Sequence, residues 1–369
     1  MLTLGGVDWD LLISIARANG VAPLLYRALQ TICPDHVPVD VLSLLRTFFH
    51  VNALHSRLLA EELLRLLRLF ETHDISAIPY RGGLLAADAY GELALRLYCD
   101  LDLIVREGDL RRAGELLCAS GYHQERHPDR AYKFAKTEGR IVVELHRTFV
   151  EKHWTFRLDP NYLWEDLRPV SILDTSVLTF SPGDLLLLIC MHGARDYWMR
   201  LGKICDVAEL ILAHPEIDLS QMLTRSRRMG SERVFLLGLN LAHTLLGTPL
   251  PVNVRSRLEA DAMVGALTEQ IRERLFATER RLSYAEKRFL PIHMKERFSD
   301  RIRYLFYWIR TDLRGLTPRG FREGLVMQPA SPGSLSYPHF LARLLTHYGR
   351  SPMQSKKLRS LKEMLKHLV

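Results

Sequence analysis

The sequence predicts an α+β protein, in which a small core of mixed sheet and helices is embedded in a mainly helical chain. Three observations point there. Residues 1–74 carry apolar side chains at helical spacing, residues 75–150 alternate short strand-like and helical stretches, and residues 151–327 return to the helical pattern. At 369 residues, 47% hydrophobic and 25% charged, the chain is long enough for two or three compact regions. The expected divisions are a helical region over 1–74, the mixed core over 75–150, a helical domain completing a cleft over 151–327, and a linker with a basic helix over 328–369.

Asp8 to Arg17 and Val21 to Leu29 read as short helices separated by Asn19-Gly20, a stop signal. Pro34 to Pro38 breaks the pattern. Leu42, Leu45, Phe49, Ala53, Leu59, Leu63, Leu66 and Phe70 then mark a long amphipathic helix. Ile75 to Pro79 reads as a strand, Leu84 to Leu95 as a helix, Leu101 to Val105 as a strand, and Asp109 to Ser120 as a helix ended by Gly121. Tyr132 to Lys136 and Ile141 to Phe149 flank Thr137-Glu138-Gly139-Arg140, the composition of a hairpin turn. Helices are expected over 184–192, with Pro182 near the start, and over 198–212, 231–247, 254–275 and 296–313. Gln328 to Pro338, rich in Pro, Ser and Gly, reads as a linker before a last helix at Met353 to Leu368.

The net charge of +8 is unevenly placed: residues 271–369 hold 21 Lys and Arg against 8 Asp and Glu. That basic quarter suits an anionic partner, although Arg-rich solvated helix faces give the same composition. The five cysteines, Cys33, Cys99, Cys118, Cys190 and Cys205, are scattered and have no zinc-ligand spacing, as free thiols in a cytoplasmic protein would be. No apolar run approaches the roughly 20 residues of a transmembrane helix.

Chemistry concentrates between Arg81 and Glu144. Asp100 and Asp102, two apart on a strand, leave the same face about 7 Å apart along the chain, a placement that suits Mg²⁺ or Mn²⁺. Two strand-end surface aspartates would read the same way, so the third acid matters. Val142, Glu144 and His146 alternate onto one face of their strand, and an acid in so apolar a segment is expected to face a site. If the two strands lie side by side, three carboxylates converge and can hold two ions about 3.5–4 Å apart. Gly82 and Gly83 sit where strand turns to helix, and backbone N–H groups there can approach a phosphate. Arg81 can hold phosphate bidentately; Arg96 can do so too, or can neutralise the acids. No Ser/His/Asp or Cys/His spacing suggests a nucleophile of the protein's own.

The pattern Arg81-Gly82-Gly83, Tyr90, Arg96, Asp100-Leu-Asp102 and Glu144-Leu-His146 resembles an uncharacterised bacterial nucleotidyltransferase family of the DNA polymerase β superfamily. His192 through Trp198, then Leu201 and Lys203 to Asp206, is similar to the helical segment of that family. The resemblance implies a polymerase β-like core in which Asp100, Asp102 and Glu144 bind metal, and Arg81, Gly82, Gly83, Arg96 and Lys203 bind nucleotide. It places His146 and His192 on the acceptor side. Arg81 stands where the family more often has lysine, and Glu144 where much of the superfamily has aspartate.

The implied reaction moves a nucleoside monophosphate from an NTP, ATP by default, to an unidentified acceptor hydroxyl with release of pyrophosphate. A protein, sugar or small-molecule acceptor is favoured over RNA, for which no binding motif is present. Two other readings share these residues: a non-catalytic nucleotide-binding protein, and an Asp-x-Asp glycosyltransferase. The latter expects several βα units before its motif, where this chain has some 75 helical residues.

Overall fold

Side-chain capping and apolar spacing start the chain as helix. The computed structural model describes residues 7–125, 132–136, 141–147, 154, 156–157, 164–277 and 282–316, without the side chains of 284 and 311–316. Asp8 caps α1 (Trp9–Ala18), its carboxylate accepting from Leu11 N at 2.9 Å. Gly20, with φ +74°, ends that helix before α2 (Ala22–Ile32). Then α3 (Val39–Glu71) runs for 33 residues, burying Leu45, Leu59, Leu63, Leu66 and Phe70 along one stripe.

The mixed core follows as β1 (Ala77–Pro79), α4 (Gly83–Tyr90), a 3₁₀ turn at Leu93–Leu95, β2 (Asp100–Val105), α5 (Leu110–Ala119), β3 (His123–Glu125), β4 (Tyr132–Lys136) and β5 (Ile141–His146). The sheet order is β1-β2-β5-β4-β3, antiparallel throughout except between β2 and β5, which are parallel. The turn expected at 137–140 lies outside the described residues, but the antiparallel pairing of β4 with β5 agrees with it. Side chains pointing to one face, among them Leu101, Leu103, Phe134, Val143 and Leu145, join the buried stripe of α3 and the inner faces of α4 and α5 in one apolar core. A β-strand with one face on that core must turn its alternate residues, Asp100, Asp102, Glu144 and His146, the other way.

One part of the expected helical region is strand. β6 (Leu167–Ile172) and β7 (Thr175–Phe180) form a hairpin. Its Leu173-Asp174 turn has φ +46° and +59°, angles usually signalled in sequence by Asn or Gly. Thr179 Oγ1 donates to Pro79 O at 2.8 Å, so the hairpin rests against β1. Helices α6 (Pro182–Arg195), α7 (Leu201–Ala213), α8 (Leu219–Met229), α9 (Glu232–Leu246), α10 (Val252–Glu259) and α11 (Ala262–Phe276) complete this unit, which comprises Met1–Glu151 and Phe156–Arg280. The segment expected as one helix over 254–275 is two helices, and α8 was not expected.

The start of α7 is fastened to the first helical turn of the chain. Asn19 Oδ1 accepts from Leu201 N at 3.2 Å, and Asn19 O accepts from Gly202 N at 2.9 Å. Two of the otherwise unpaired N–H groups at that helix end are satisfied in this way.

The second unit comprises Lys152–Thr155 and Arg281–Val369. Ser283 and Glu286 form a capping box on α12 (Tyr284–His293), which α13 (Phe298–Leu316) follows. Lys295 is buried here, its Nζ donating to Trp154 O at 2.5 Å and lying 5.0 Å and 5.3 Å from the rings of Trp154 and Tyr304. Burial lowers its pKa to about 7. The linker at 328–338 and the basic helix at 353–368 lie outside the described residues. Among the described residues no helix is long and apolar enough to cross a membrane.

Candidate functional site

The register between β2 and β5 decides which acids meet. Asp100 lies beside Val142, Asp102 beside Glu144 and Ile104 beside His146. Parallel neighbours share a face, so Glu144 stands next to Asp102 and His146 one step further on. Ligand atoms of Asp102, Glu144 and His146 all fall within 4.8 Å of one another. His146 Nε2 lies 2.9 Å from Asp102 Oδ1 and 3.6 Å from Glu144 Oε2. Asp100 is outside this set, one strand repeat before Asp102.

Two carboxylates and an imidazole at that separation are a fitting donor set for a divalent cation. The electrostatics agree. Burial, then the charges of Asp102 and Glu144, push the Asp100 carboxyl above its ordinary range. Asp102 is driven the other way: burial would raise it, but the Arg81 charge and the His146 contact outweigh burial and hold it well below the usual range. Both oxygens of Asp102 are engaged, Oδ2 accepting from Arg81 Nη2 at 2.6 Å.

Arg81 leaves the strand just before Gly82, whose φ of +60° and ψ of −132° belong to glycine's territory. A Cβ on Gly82 would also stand 3.3 Å from Asp100 O, and one on Gly83 would stand 2.8 Å from Tyr98 Oη. The two glycines let the first turn of α4 lie directly against the end of β2 that carries Asp100. Tyr98 is pinned in turn, donating to Ser56 O of α3 at 2.9 Å.

A second cluster adjoins Arg81. Arg81 Nη1 and Arg195 Nη2 both donate to His192 Nε2. Nε2 therefore carries the lone pair, which leaves the ring proton on Nδ1, 3.6 Å from Asp196 Oδ2. Lys203 Nζ donates to Asp196 and lies 3.2 Å from His192 Nδ1. Burial, followed by the charges of Arg81, Lys203 and Arg195, keeps the His192 pKa well below the ordinary imidazole value. Burial also lowers Lys203, with Asp196 opposing it.

Arg96 has a different partner from the acids of β2. Its Nε and Nη2 donate to Asp206 Oδ1 and Oδ2 at 2.7 Å and 2.9 Å, and Tyr90 Oη donates to Asp206 Oδ1 at 2.8 Å. Arg96 Nη1 also donates to Gly82 O at 3.3 Å. The guanidinium thus ties the glycine turn to α7 by neutralising Asp206. Lys203 and Asp206, three apart on α7, are paired with Asp196 and Arg96 and not with each other.

The structure therefore brings Arg81, Asp102, Glu144, His146, His192 and Lys203 into one continuous network, with Gly82, Gly83 and Asp100 at its edge. Arg195 and Asp196 escaped the sequence reading. Their signal was spacing, since positions 192, 195 and 196 share a helix face.

Comparison with known proteins follows the same residues. The sequence model of a family described as "Uncharacterised nucleotidyltransferase" matches residues 5–247, which span the network from end to end. No curated protein matches the chain. Among solved structures, an antigenic nucleotidyltransferase-like protein from Paracoccidioides brasiliensis is similar over 56% of this chain and 93% of its own. Its sequence identity is 14% and its TM-score 0.35.

Proposed function

The chain belongs to the uncharacterised nucleotidyltransferase family, and on that footing we propose that it transfers a nucleoside monophosphate from an NTP, ATP by default, to an acceptor hydroxyl. The acceptor oxygen forms a bond to the α-phosphorus, the bond to the bridging β-phosphate oxygen breaks, and pyrophosphate leaves. The observation that carries this reading is the in-register pairing of Asp102 with Glu144, which gathers Asp102, Glu144 and His146 within 4.8 Å. A divalent cation, Mg²⁺ or Mn²⁺, held by these residues and Asp100 would supply Lewis-acid polarisation of the phosphate and a more acidic acceptor hydroxyl.

The chain's own groups have separable tasks. Glu144, the least buried of the three cluster residues, is placed to take the acceptor proton. His146 orients Asp102 through its 2.9 Å contact. Gly82 and Gly83 open the α4 N-terminus to phosphate oxygens, and Arg81, Lys203 and Arg195 supply positive charge beside it. His192, held neutral, spaces those cations without adding to their repulsion. Arg96 fixes the turn from behind through Asp206.

The test is pyrophosphate release from each NTP with Mg²⁺ or Mn²⁺ in the presence of a lysate, following where a labelled nucleotide goes. Asp102→Asn and Glu144→Gln are expected to abolish release while leaving the circular dichroism spectrum unchanged. Release at the wild-type rate from Asp102→Asn would overturn the proposal. Saturable Mg²⁺·NTP binding with no release under any condition would assign the chain a binding role instead.

A further inference from the structure

We propose that Arg81 competes with the divalent cation for Asp102, so that the site takes the cation together with a polyphosphate and binds the bare ion poorly. The inference rests on the nucleotidyltransferase reading and deepens it, by naming the form in which the substrate is accepted.

The argument begins with valence. Asp102 Oδ2 accepts from Arg81 Nη2 at 2.6 Å while Oδ1 faces His146 Nε2 at 2.9 Å, and these side chains are only 11% and 2% exposed for Arg81 and Asp102. A cation joining Asp102 to Glu144 and His146 meets a carboxylate whose two oxygens are already spoken for. His146 is itself one of the three ligands, so the group that must yield is Arg81. The bare ion gains ligands only by stripping a buried guanidinium of its counter-charge, and a buried charge left unpaired is costly.

The other edge of Arg81 shows what would make it yield. Its Nη1 shares the single lone pair of His192 Nε2 with Arg195 Nη2, so two cationic donors contend for one acceptor. Its Nε is buried and has no hydrogen-bond partner. Arg195 and Lys203 add two positive charges on this side, against which Asp196 is the one carboxylate within reach. An anion with several oxygens would satisfy Arg81 Nε and Nη groups bidentately and relieve the contest over His192. The polyphosphate draws Arg81 off Asp102, the cation takes the freed oxygen, and each ligand thereby strengthens the other by the same factor.

One substitution separates this from a purely structural role, because it moves two affinities in opposite directions. Arg81→Gln should tighten binding of Mn²⁺ alone, read by electron paramagnetic resonance, by about ten- to a hundredfold, the weight of a charged hydrogen bond. The same variant should weaken binding of inorganic tripolyphosphate without metal, read by calorimetry, by about tenfold or more. Arg81→Lys, which keeps a charge on Asp102 but cannot also reach His192, should shift both in the same senses by less, and it decides the matter if the Gln variant does not fold. If both affinities fall together, or if Mn²⁺ affinity is unchanged, Arg81 is not a competitor and the proposal is wrong. Adding Asp102→Asn to Arg81→Gln should abolish the Mn²⁺ signal. Survival of that signal would place the ion elsewhere and remove the metal-site reading as well as this one.

Discussion

The Arg96–Asp206 pair offers the sharpest test of how the site is held together. Asp206 is 9% exposed and Arg96 14%, and the guanidinium meets both carboxylate oxygens at 2.7 Å and 2.9 Å. Arg96→Met leaves Asp206 buried with only the Tyr90 hydroxyl, and Asp206→Leu leaves the guanidinium buried with only Gly82 O. Each single variant strands a charge, at a cost of about 3–5 kcal/mol. For a unit of this size each kcal/mol moves the melting temperature by about 2–4 °C, so each should melt roughly 6–20 °C lower.

The double variant strands nothing. It loses the bonds to Tyr90 and Gly82 O, about 1–2 kcal/mol in all, and should be more stable than either single variant. Urea denaturation of the four proteins closes the cycle, with an expected coupling of roughly 2–3 kcal/mol, the upper range for groups in contact. If the single effects add to within about 0.5 kcal/mol, the two side chains are not a desolvated pair and the tie between α7 and the glycine turn is not what the structure implies.

Further outcomes concern protonation and space. His192 stays neutral in the folded state while the unfolded chain protonates it near 6.5; the unfolded state therefore binds more protons in acid. Stability should fall below that pH by up to about 1.4 kcal/mol per pH unit more than in His192→Gln, and parallel urea curves from pH 7.5 to 5.5 that coincide would refute it. Lys295 carries a folded pKa of about 7 against an ordinary 10.5, so stability should rise between those values and Lys295→Met should flatten the rise, as pH-dependent melting would show. A Cβ on Gly193 would stand 2.5 Å from two ring atoms of buried Trp198, whereas one on Gly91 meets nothing within 4 Å. Gly193→Ala should cost about 1–3 kcal/mol by overpacking and should weaken nucleotide binding by displacing His192. Gly91→Ala, at φ +69°, should cost about 1–2 kcal/mol of backbone strain in the same melts and leave binding unchanged.

What could be read from sequence was whatever has a short period. Alternation put Glu144 and His146 on one face and the heptad-like spacing of Leu59, Leu63, Leu66 and Phe70 declared α3, because period 2 and period 3.6 are local properties. The register of Asp102 against Glu144 was not legible, since parallel strands 40 residues apart leave no turn from which to count. The β6–β7 hairpin was missed for lack of a glycine: Leu173 and Asp174 hold positive φ that sequence rarely assigns to such residues. The same reason moved the start of α7 from Trp198 to Leu201, since Tyr197 and Trp198 have φ of +57° and +53°. Arg96 was expected to face phosphate or the acids of β2. Its partner Asp206 lies 110 residues on, and only folding names such a partner.

The clamp of Asn19 on α7 bears on how the protein is made. Asn19 and Leu201 are 182 residues apart, which at about 5–20 residues per second separates their synthesis by roughly ten to forty seconds. Throughout that interval the first helical pair exists without the helix it will cap, and Arg81 without His192. The nascent chain thus holds half of its charged centre exposed until the other half leaves the ribosome. Any factor that shields emerging chains would find its binding window here, and a synonymous change that slows translation between codons 100 and 200 would lengthen it.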